Sequence, residues 1–423
     1  MNFNVTLLKI RIEFDKAKKN FGYWKGLLLM PVILLGRLIE KLYISWIKRF
    51  VPINDNLILL KSKPDFSDNS RALAEYMIEH GYLKKYHLGF DVNDKSFADR
   101  YRQLPILFFS SSNDYGLQKL KDLRLMYTAK YLLSTHEMFL PIEDKRTGQQ
   151  LIRLWHGCGY KDRASTDNVE TRRFDLALVP GEVFIKTKSY FWNVGEKYLL
   201  AKGYPRYDWL LRRDAEATEL SKKITARFSS KMIIWMPTYR TDKYGRINDT
   251  NKIDKFPIVN TNEEWEILDR ICFDNHITLF VKLHPYQLEY DIPLDKLRNV
   301  KSLTNDILDA NDIPLYKFVA LCDGLISDYS SIAIDYLIVD KPIAFTLDDY
   351  DLYKESRGFV FENPLDYMPG HHLYNFNDLK VFIECVAKGN DSFKEERDRV
   401  RKVTVVPSDH YCLDILNALG IKI

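Results

Sequence analysis

The stretch Leu151-Ile152-Arg153-Leu154-Trp155-His156-Gly157 joins a mostly apolar run to a tryptophan, a histidine and a glycine. Two later apolar runs also end in polar motifs, one in Lys282-Leu283-His284-Pro285 and the other in Ser327-Asp328-Tyr329-Ser330-Ser331. Open α/β sheets build their ligand sites at strand-to-loop junctions of this kind. Imidazole and ammonium groups donate hydrogen bonds to phosphate, and serine hydroxyls and helix N-terminal amides surround its oxygen atoms. The three junctions therefore indicate phosphoryl chemistry.

Short apolar runs alternate with stretches of helical spacing from about residue 56 onward, which predicts an α/β fold with parallel, doubly wound sheets. A polar stretch, residues 208–230, separates two such series and predicts a linker with a lead-in helix. Two halves of this kind predict two Rossmann-like domains facing a cleft, the GT-B arrangement. The buried strands are expected at 57–60, 86–92, 106–109, 131–134, 151–155 and 176–179 in the first half, and at 232–236, 277–283, 325–327 and 343–346 in the second.

Charge is distributed unevenly along the 423 residues. Residues 1–50 carry ten Lys or Arg against three Asp or Glu, a net charge of +7, so the rest of the chain carries −3 of the total +4. A body of that charge is not typical of a nucleic-acid-binding protein. The five cysteines are scattered, odd in number and never in CxxC spacing, which favours reduced thiols over a disulfide framework or a zinc site.

The first fifty residues have no signal-peptide layout, because no small-residue cleavage site follows the apolar stretch. That stretch, residues 27–35, contains Pro31 and is far shorter than the ~20 residues of a membrane-spanning helix. Apolar residues, Lys and Arg alternate after it, with Trp24, Tyr43 and Trp46 as interfacial anchors. We expect one or two amphipathic helices that lie on an anionic membrane surface, with a helix packed on its own domain as the alternative.

An ordered series of motifs runs from about Asn54 to Leu379 and resembles the CDP-glycerol glycerophosphotransferase family, which primes and extends teichoic acids and related phosphate-linked polymers. Each motif alone is weak, but their order is specific. They are Ser67-Asp68-Asn69-Ser70-Arg71-Ala72-Leu73, Trp155-His156-Gly157, Gly203-Tyr204-Pro205-Arg206, Pro237-Thr238-Tyr239-Arg240, Lys282-Leu283-His284-Pro285, Ser327-Asp328-Tyr329-Ser330-Ser331 with Asp335, Asp340-Lys341-Pro342, Arg357-Gly358-Phe359 and Pro369-Gly370.

The resemblance implies an enzyme that moves a phosphoglycerol or similar phospho-polyol unit from CDP-glycerol or a related CDP-alcohol to an acceptor hydroxyl and releases CMP. The predicted domains are a membrane-associating segment at 1–50, indicated by its charge and apolar pattern, an acceptor domain at 51–210 and a donor domain at 211–423. The expected acceptor is a lipid-linked saccharide or polymer at the cytoplasmic face of the bacterial membrane, where the protein would be peripheral. A homo-oligomer is left open.

The attacking alcohol must lose a proton while the β-phosphorus takes on charge, so the reaction needs a base and anion stabilisers. The resemblance implies His156 as the base. His284 is expected to be a second catalytic residue that faces the donor pyrophosphate with Lys282, because alternate residues of a strand point to one side. Ser330 and Ser331 are expected to cap a helix and to bind the pyrophosphate, and the structural alternative is the cap alone.

Further residues are assigned to the CDP-alcohol on the same resemblance. Arg206 is expected to close over the diphosphate, Asp335 to hold a cation or a ligand hydroxyl, and Thr238 to hold the nucleotide. A nucleophilic role for Cys158 is weighed against a small residue filling a loop, and the second is favoured. The remaining assigned residues are Trp155, Gly157, Cys158, Gly159, Pro237 and Leu283, with Arg240, Asp328 and Arg357 as further candidates.

No protein-bound metal is required on this interpretation, although Asp328 and Asp335 could hold Mg²⁺. The chain departs from the family pattern at Cys158-Gly159, where Thr-Pro is usual, and at Tyr207-Asp208, where Asn-Asp is usual. The first departure lies beside the expected base and concerns the choice of acceptor. Two other functions stay open, a GT-B glycosyltransferase that uses a nucleotide sugar and a non-catalytic protein that binds polymer at the membrane surface.

Overall fold

A computed structural model describes residues 23–94, 96–111, 117–161, 172–212, 215–225, 231–238, 256–283, 293–294 and 296–423. Its strands form two parallel sheets with helices between most successive strands, as the alternation of apolar runs predicts. The helices are α1 (Tyr23–Phe50), α2 (Asp68–Glu79), α3 (Ser96–Arg100), α4 (Leu120–Thr128), α5 (Val183–Trp192), α6 (Tyr207–Leu211), α7 (Ala215–Thr225), α8 (Asn262–Asp274), α9 (Asn305–Ala310), α10 (Leu315–Val319), α11 (Ile332–Tyr336), α12 (Tyr350–Ser356), α13 (Phe376–Lys388), α14 (Lys394–Thr404) and α15 (Tyr411–Ala418).

The first sheet has seven strands in the order β3-β2-β1-β4-β5-β6-β7. Its strand order reverses between β1 and β4, and β5 leads directly into the Trp155-His156-Gly157 motif. The strands are β1 (Asn54–Lys61), β2 (His87–Asp91), β3 (Leu107–Phe109), β4 (Ala129–Ser134), β5 (Gln150–Arg153), β6 (Leu176–Val179) and β7 (Leu199–Ala201).

The second sheet has six strands in the order β10-β9-β8-β11-β12-β13, and its order reverses between β8 and β11. Ligands of open α/β sheets bind outside the carboxyl ends of the strands at such a reversal. Here those ends carry Pro237-Thr238 and Asp328-Tyr329-Ser330-Ser331. The strands are β8 (Lys231–Trp235), β9 (Ile277–Val281), β10 (Val300–Ser302), β11 (Gly324–Ser327), β12 (Ile343–Thr346) and β13 (His371–Leu373).

The central strands of the second sheet are nearly continuous runs of buried apolar residues, because helices cover both faces. On one face Ile233, Trp235 and Leu279 pack with Trp265 of α8 and Phe382 of α13. Helix α8 begins at a capping box, in which the Glu264 backbone amide donates to the Thr261 hydroxyl and the Thr261 backbone amide donates to the Glu264 carboxylate. This packed sheet is the rigid support on which the site residues stand.

Packing divides the chain into two compact units. One runs to Leu154 and adds residues 173–176 and Ile423, and the other contains residues 155–172 and 177–422. The division falls directly before Trp155, so His156 belongs to the same unit as Arg206, Ser331 and Asp335. The domain boundaries placed at residues 50 and 210 on sequence grounds stay a prediction.

Helix α1 is one continuous helix of 28 residues that runs through Pro31. Met30, Ile33, Glu40 and Ile47 are buried on one side of it. Glu40 accepts hydrogen bonds from Arg37 Nη1 at 2.9 Å and from the Gln118 backbone amide, and Ile47 packs in the core of the first unit. Within the part of the chain that the structure describes, no helix combines the length and the apolar character needed to cross a membrane.

Candidate active site

The loop after β5 holds Trp155, His156 and Gly157 in an unusual backbone conformation. Trp155 has φ +59° and Gly157 has φ +136°, both outside the regions that most L-residues adopt. The Trp155 indole Nε1 donates to the Gly157 carbonyl at 2.5 Å. The Trp155 ring lies 3.9 Å from the His156 ring and meets Trp192 edge-on at 4.8 Å, measured between ring centroids. The histidine is therefore presented by a tightly turned loop that is packed on helix α5.

Glycine is needed in this loop because a serine of the next motif lies against it. A Cβ atom placed on Gly157 would lie 2.3 Å from Ser331 Oγ, and one placed on Gly159 would lie 2.8 Å from the Ser331 amide nitrogen. No side chain fits at either distance without displacing its neighbour. The structure thus brings together two motifs that are more than 170 residues apart in the sequence.

The segment Ser327-Asp328-Tyr329-Ser330-Ser331, here called the serine motif, does not form the side-chain helix cap that the sequence predicts. Helix α11 has only five residues, and the side chain of Ser331, at its N-cap position, makes no capping hydrogen bond. The Ser331 amide faces Gly159 instead of open space. Ser330 and Ser331 are both half-buried. Binding of the donor pyrophosphate by these two serines stays a prediction.

Arg206 and Asp335 form a buried ion pair beside the loop. Arg206 Nη2 lies 2.6 Å from Asp335 Oδ2 and 3.1 Å from the His156 carbonyl oxygen. Asp335 also accepts hydrogen bonds from the hydroxyls of Tyr207 and Tyr316, the latter at 2.5 Å. Burial raises the pKa of Asp335, and the Arg206 guanidinium and the two hydroxyls oppose that rise. Arg206 and Asp335 are therefore both bonded to protein groups, whereas the sequence analysis assigned both of them to the CDP-alcohol.

Thr238 and Asp328 join the two loops that follow β8 and β11, at the point where the strand order of the second sheet reverses. The Thr238 backbone amide donates to Asp328 Oδ2 at 2.8 Å, and its hydroxyl donates to Oδ1 at 2.6 Å. The neighbouring Ser327 hydroxyl donates to the Met236 carbonyl at 3.1 Å. These bonds fix Pro237 and Thr238 against the start of the serine motif. The sequence analysis assigns this position to the nucleotide.

Lys282 lies at the carboxyl end of β9, beside β8, and only 7% of it is exposed. Its Nζ donates to Asn305 Oδ1 at 2.7 Å. Burial lowers the pKa of this lysine, and the nearby Asp309 charge acts in the opposite direction. Leu283 packs on the core of the second sheet. His284 and Arg240, which the sequence assigns to the same site, lie outside the described residues.

Arg357-Gly358-Phe359 reaches the segment that follows Gly159. Phe359 forms an antiparallel bridge with Lys161, and the Val360 amide donates to the Tyr160 carbonyl at 2.8 Å. Gly358 has φ +78°, so a residue with a Cβ would be strained in this turn. A backbone contact therefore joins the residues after Arg357 to the segment that follows the histidine loop, and a role for Arg357 itself stays a prediction.

Cys158 is completely buried, with its Sγ 3.2 Å from the Tyr204 hydroxyl. Burial raises the pKa of the thiol, which keeps it protonated and unreactive at neutral pH. This agrees with a residue that fills space behind the loop and gives no support to a nucleophile.

Residues 43–410 match the family model described as CDP-Glycerol:Poly(glycerophosphate) glycerophosphotransferase. The chain belongs to this family. Membership covers both sheets and the candidate site described above, and it makes the protein an enzyme of the teichoic acid primase and polymerase group.

Similarity to individual glycerophosphotransferase-family proteins is low but extends over most of the chain. The teichoic acid ribitol-phosphate polymerase TarL of Staphylococcus aureus is 26% identical, over 81% of this chain and 58% of TarL. The teichoic acid glycerol-phosphate primase of Bacillus subtilis is 23% identical, over 82% of this chain and 91% of the primase. The solved structure of the wall teichoic acid polymerase TagF superposes with a TM-score of 0.68 at 17% identity, over 97% of this chain and 98% of that one, which establishes the GT-B-like fold.

Three residues of this glycerophosphotransferase site were not found from the sequence. Tyr207 and Tyr316 bind Asp335, and Lys188 lies with its Nζ 5.5 Å from the ring centre of Trp155, close to the rings of Phe191 and Trp192 as well. Tyr207 replaces the usual Asn of the family motif, and that departure was the one available signal. Among the described residues, no group of three or more His, Cys, Asp or Glu could hold a metal ion.

We expect Lys282→Met to raise stability and to weaken donor binding. Below the folded-state pKa of Lys282 both the folded and the unfolded chain carry the proton, and the full cost of burying the charge is present. Between that pKa and the higher pKa of Lys282 in the unfolded chain, only the unfolded chain keeps the proton. The stability of the wild type therefore rises with pH in this range. The Tm gain of the variant should therefore be largest near pH 7 and shrink towards alkaline pH.

Thermal unfolding from pH 7 to 10 and calorimetric titration with CDP-glycerol measure the two effects. Lys231→Met is the matched control, because Lys231 stands at the start of β8 and donates to the Val386 and Ala387 carbonyls, away from the carboxyl ends of the strands. It should leave donor affinity unchanged. Unaltered donor affinity in Lys282→Met would remove Lys282 from the binding site.

Proposed function

We propose that this enzyme transfers a phosphoglycerol or related phospho-polyol unit from a CDP-alcohol to a hydroxyl of a lipid-linked saccharide or polymer. The contact of Gly157 with Ser331, with Arg206 bound to the His156 carbonyl, is the observation that carries the proposal. Ser331 is one of the residues expected to bind phosphate, so the contact supports a base at His156 beside an anion site, with both motifs in one compact unit.

In this reaction the acceptor hydroxyl attacks the β-phosphorus of the donor. A bond forms between the acceptor oxygen and the β-phosphorus, and the bond from that phosphorus to the bridging oxygen breaks. CMP leaves with the electron pair, and the hydroxyl proton passes to His156 and then to solvent. Lys282 and the serines are assigned to the charge that develops on the phosphoryl oxygens. His284 is assigned there too, from its motif alone.

The proposal includes no protein-bound metal. Both oxygens of Asp328 accept from Thr238, and both oxygens of Asp335 accept from Arg206 and the tyrosines, so neither carboxylate has a ligand role that the geometry favours. Mass spectrometry of a defined lipid-linked acceptor, incubated with CDP-glycerol or CDP-ribitol in the presence and absence of EDTA, tests both parts. One or more added phospho-polyol units are expected in each condition. A product that gains a sugar from UDP-sugars and none from CDP-alcohols would favour the glycosyltransferase.

The enzyme is further proposed to act as a peripheral protein at the membrane, docked through α1. Apolar side chains recur every three or four residues along the side of the helix opposite the buried one, and each is 45% to 78% exposed: Leu28, Val32, Leu35, Ile39, Leu42 and Trp46. Lys41 and Arg49 are exposed beside this stripe. An exposed apolar stripe with flanking cations fits the boundary of anionic headgroups and acyl chains.

We expect the double variant Leu35→Glu, Leu42→Glu to lose vesicle binding while it keeps turnover on a water-soluble acceptor. Each carboxylate would have to enter the acyl region of the bilayer, whereas the fold loses little packing because more than half of each leucine is exposed. Sedimentation with vesicles of increasing anionic lipid content measures binding. Wild-type binding should fall with salt, because polybasic attraction is screened over ~8–10 Å.

Ile267→Glu is the control, since Ile267 is an exposed apolar residue of α8 that is unrelated to the stripe. It should sediment like the wild type. Unchanged sedimentation of the double variant would show that α1 is not the docking surface, and binding that ignores both salt and lipid charge would exclude an interfacial mode.

A further inference from the structure

The backbone around His156 needs support from outside the loop. Trp155 at φ +59° is a bulky residue in the left-handed region, and such conformations are unfavourable and persist only when the surroundings hold them. Trp155 is held through its ring by Trp192 and through its indole nitrogen by the Gly157 carbonyl. The His156 carbonyl, which lies between Trp155 and Gly157 in the chain, accepts a hydrogen bond from Arg206.

Arg206 is placed to hold that carbonyl and is itself fixed. Its guanidinium is almost completely buried, and the same Nη2 donates to both the His156 carbonyl and Asp335. The guanidinium carbon also lies 4.1 Å from the ring centre of Tyr316, a distance at which cation and ring attract each other. These contacts fix the orientation of the Arg206 guanidinium, and the guanidinium in turn fixes the position of the His156 carbonyl.

Asp335 orients Arg206 and is saturated by protein donors. The carboxylate is fully buried, and Arg206, Tyr207 and Tyr316 donate to its two oxygens. Burial raises the pKa of Tyr207 well above its ordinary value, which keeps that hydroxyl protonated and able to donate. A buried charge with a full set of partners is stable where it is and costly to move. We call Arg206, Asp335, Tyr207 and Tyr316 the arginine clamp.

We propose that the arginine clamp is a positioning device for His156, in which Tyr316 and Tyr207 are further residues required for turnover. The clamp fixes the His156 backbone, and the fixed backbone sets where the imidazole meets the acceptor hydroxyl. The proposal rests on the transferase function given above and deepens it. Asp335 acts through Arg206 and does not itself contact the substrate.

The clamp predicts a particular split between kinetic constants. Displacement of a catalytic group by about 1 Å costs on the order of 10² in rate, because the reacting atoms leave their attack geometry. Asp335→Asn should therefore lower kcat by about 10², and Tyr316→Phe, which keeps the ring and removes one donor, by roughly 3- to 10-fold. The KM for the CDP-alcohol should change by less than about threefold, since the clamp binds the loop and not the donor.

Tyr336→Phe is the matched control. Tyr336 lies on α11 beside Asp335, is fully buried and donates through its hydroxyl to the Cys322 carbonyl at 2.6 Å. The variant loses one tyrosine hydroxyl hydrogen bond, as Tyr316→Phe does, but that bond involves no residue of the clamp. It should lower Tm as Tyr316→Phe does and leave kcat unchanged. Because Asp335→Asn leaves a buried guanidinium without its counter-ion and could unfold, Tyr316→Phe is the deciding variant.

A second measurement is independent of catalysis. Spectra of protein labelled with ¹⁵N-histidine, with the His156 signals assigned through His156→Gln, report the environment of the imidazole. Tyr316→Phe should shift or broaden those signals, and Tyr336→Phe should leave them in place. If wild-type protein releases no CMP, the proposed function fails but this test of the clamp still stands. Unchanged His156 signals in Tyr316→Phe, or a donor KM that rises in step with the fall in kcat, would overturn the clamp.

Discussion

His156→Ala is expected to lower kcat by about 10² to 10⁴, the contribution of a positioned general base, while most of the affinity for the CDP-alcohol survives. The acceptor hydroxyl cannot attack efficiently while it keeps its proton, and the variant retains Lys282, Ser330 and Ser331 for the donor. Stopped assays of CMP release give kcat, and calorimetric titration with CDP-glycerol gives the donor affinity.

The control for this variant is His80→Ala. His80 is an exposed residue at the end of α2 that stacks on Tyr76 in the other compact unit. Its removal should leave kcat and donor affinity as they are. A His156→Ala enzyme with near-normal kcat would show that the base is another group, and a large loss of donor affinity with little loss of kcat would make His156 a binding residue.

Gly157→Ala is expected to abolish most turnover, with a loss of at least about 10². The added methyl would lie 2.3 Å from Ser331 Oγ, and the alanine would also have to adopt φ +136°. The loop can relieve this overlap only by moving away from the serine motif, which displaces His156 from the donor. Steady-state kinetics and thermal unfolding of the same preparation separate lost geometry from lost folding.

Gly420→Ala is the control for Gly157→Ala, because it separates the effect of the positive φ angle from the effect of the steric overlap. Gly420 has φ +75°, and in the described part of the chain no neighbouring atom lies within 4 Å of the point where an added Cβ would stand, so its variant carries strain without a clash. It should lose some stability and no activity. Full activity in Gly157→Ala would mean that the close packing of Gly157 on Ser331 is not needed for the reaction.

The sheets could be predicted because buried parallel strands are apolar throughout and stand out in the sequence. Strands β6 and β12 lie at the predicted residues, and the other predicted strands differ by one to three residues at their ends. Strands β7, β10 and β13 were missed; each has only three residues, like the predicted β3, and so short a run gives little pattern by which to recognise a strand. Pro31 suggested a break in the first segment, yet α1 continues through it, and the proline lies on the exposed side of the helix.

The candidate site could be predicted as a set of motifs but not as an arrangement. The strand ends indicated which loops carry polar groups, and the family order indicated which of them act together. The ion pair of Arg206 with Asp335 spans 129 positions, and nothing local in either motif marks both partners as buried. For the same reason Tyr316, in an unremarked short helix, became a site residue only when the fold placed it against Arg206.

CMP release coupled to an acceptor is the most direct test of the proposed transferase. Purified enzyme would be given CDP-glycerol, CDP-ribitol or UDP-sugars, each with and without a lipid-linked acceptor in vesicles, and free CMP and UDP would be quantified over time. We predict CMP from at least one CDP-alcohol, only when acceptor is present, in equal amount to the phospho-polyol gained by the acceptor. UDP release from a nucleotide sugar, or no CMP from either CDP-alcohol with acceptor present, would contradict it.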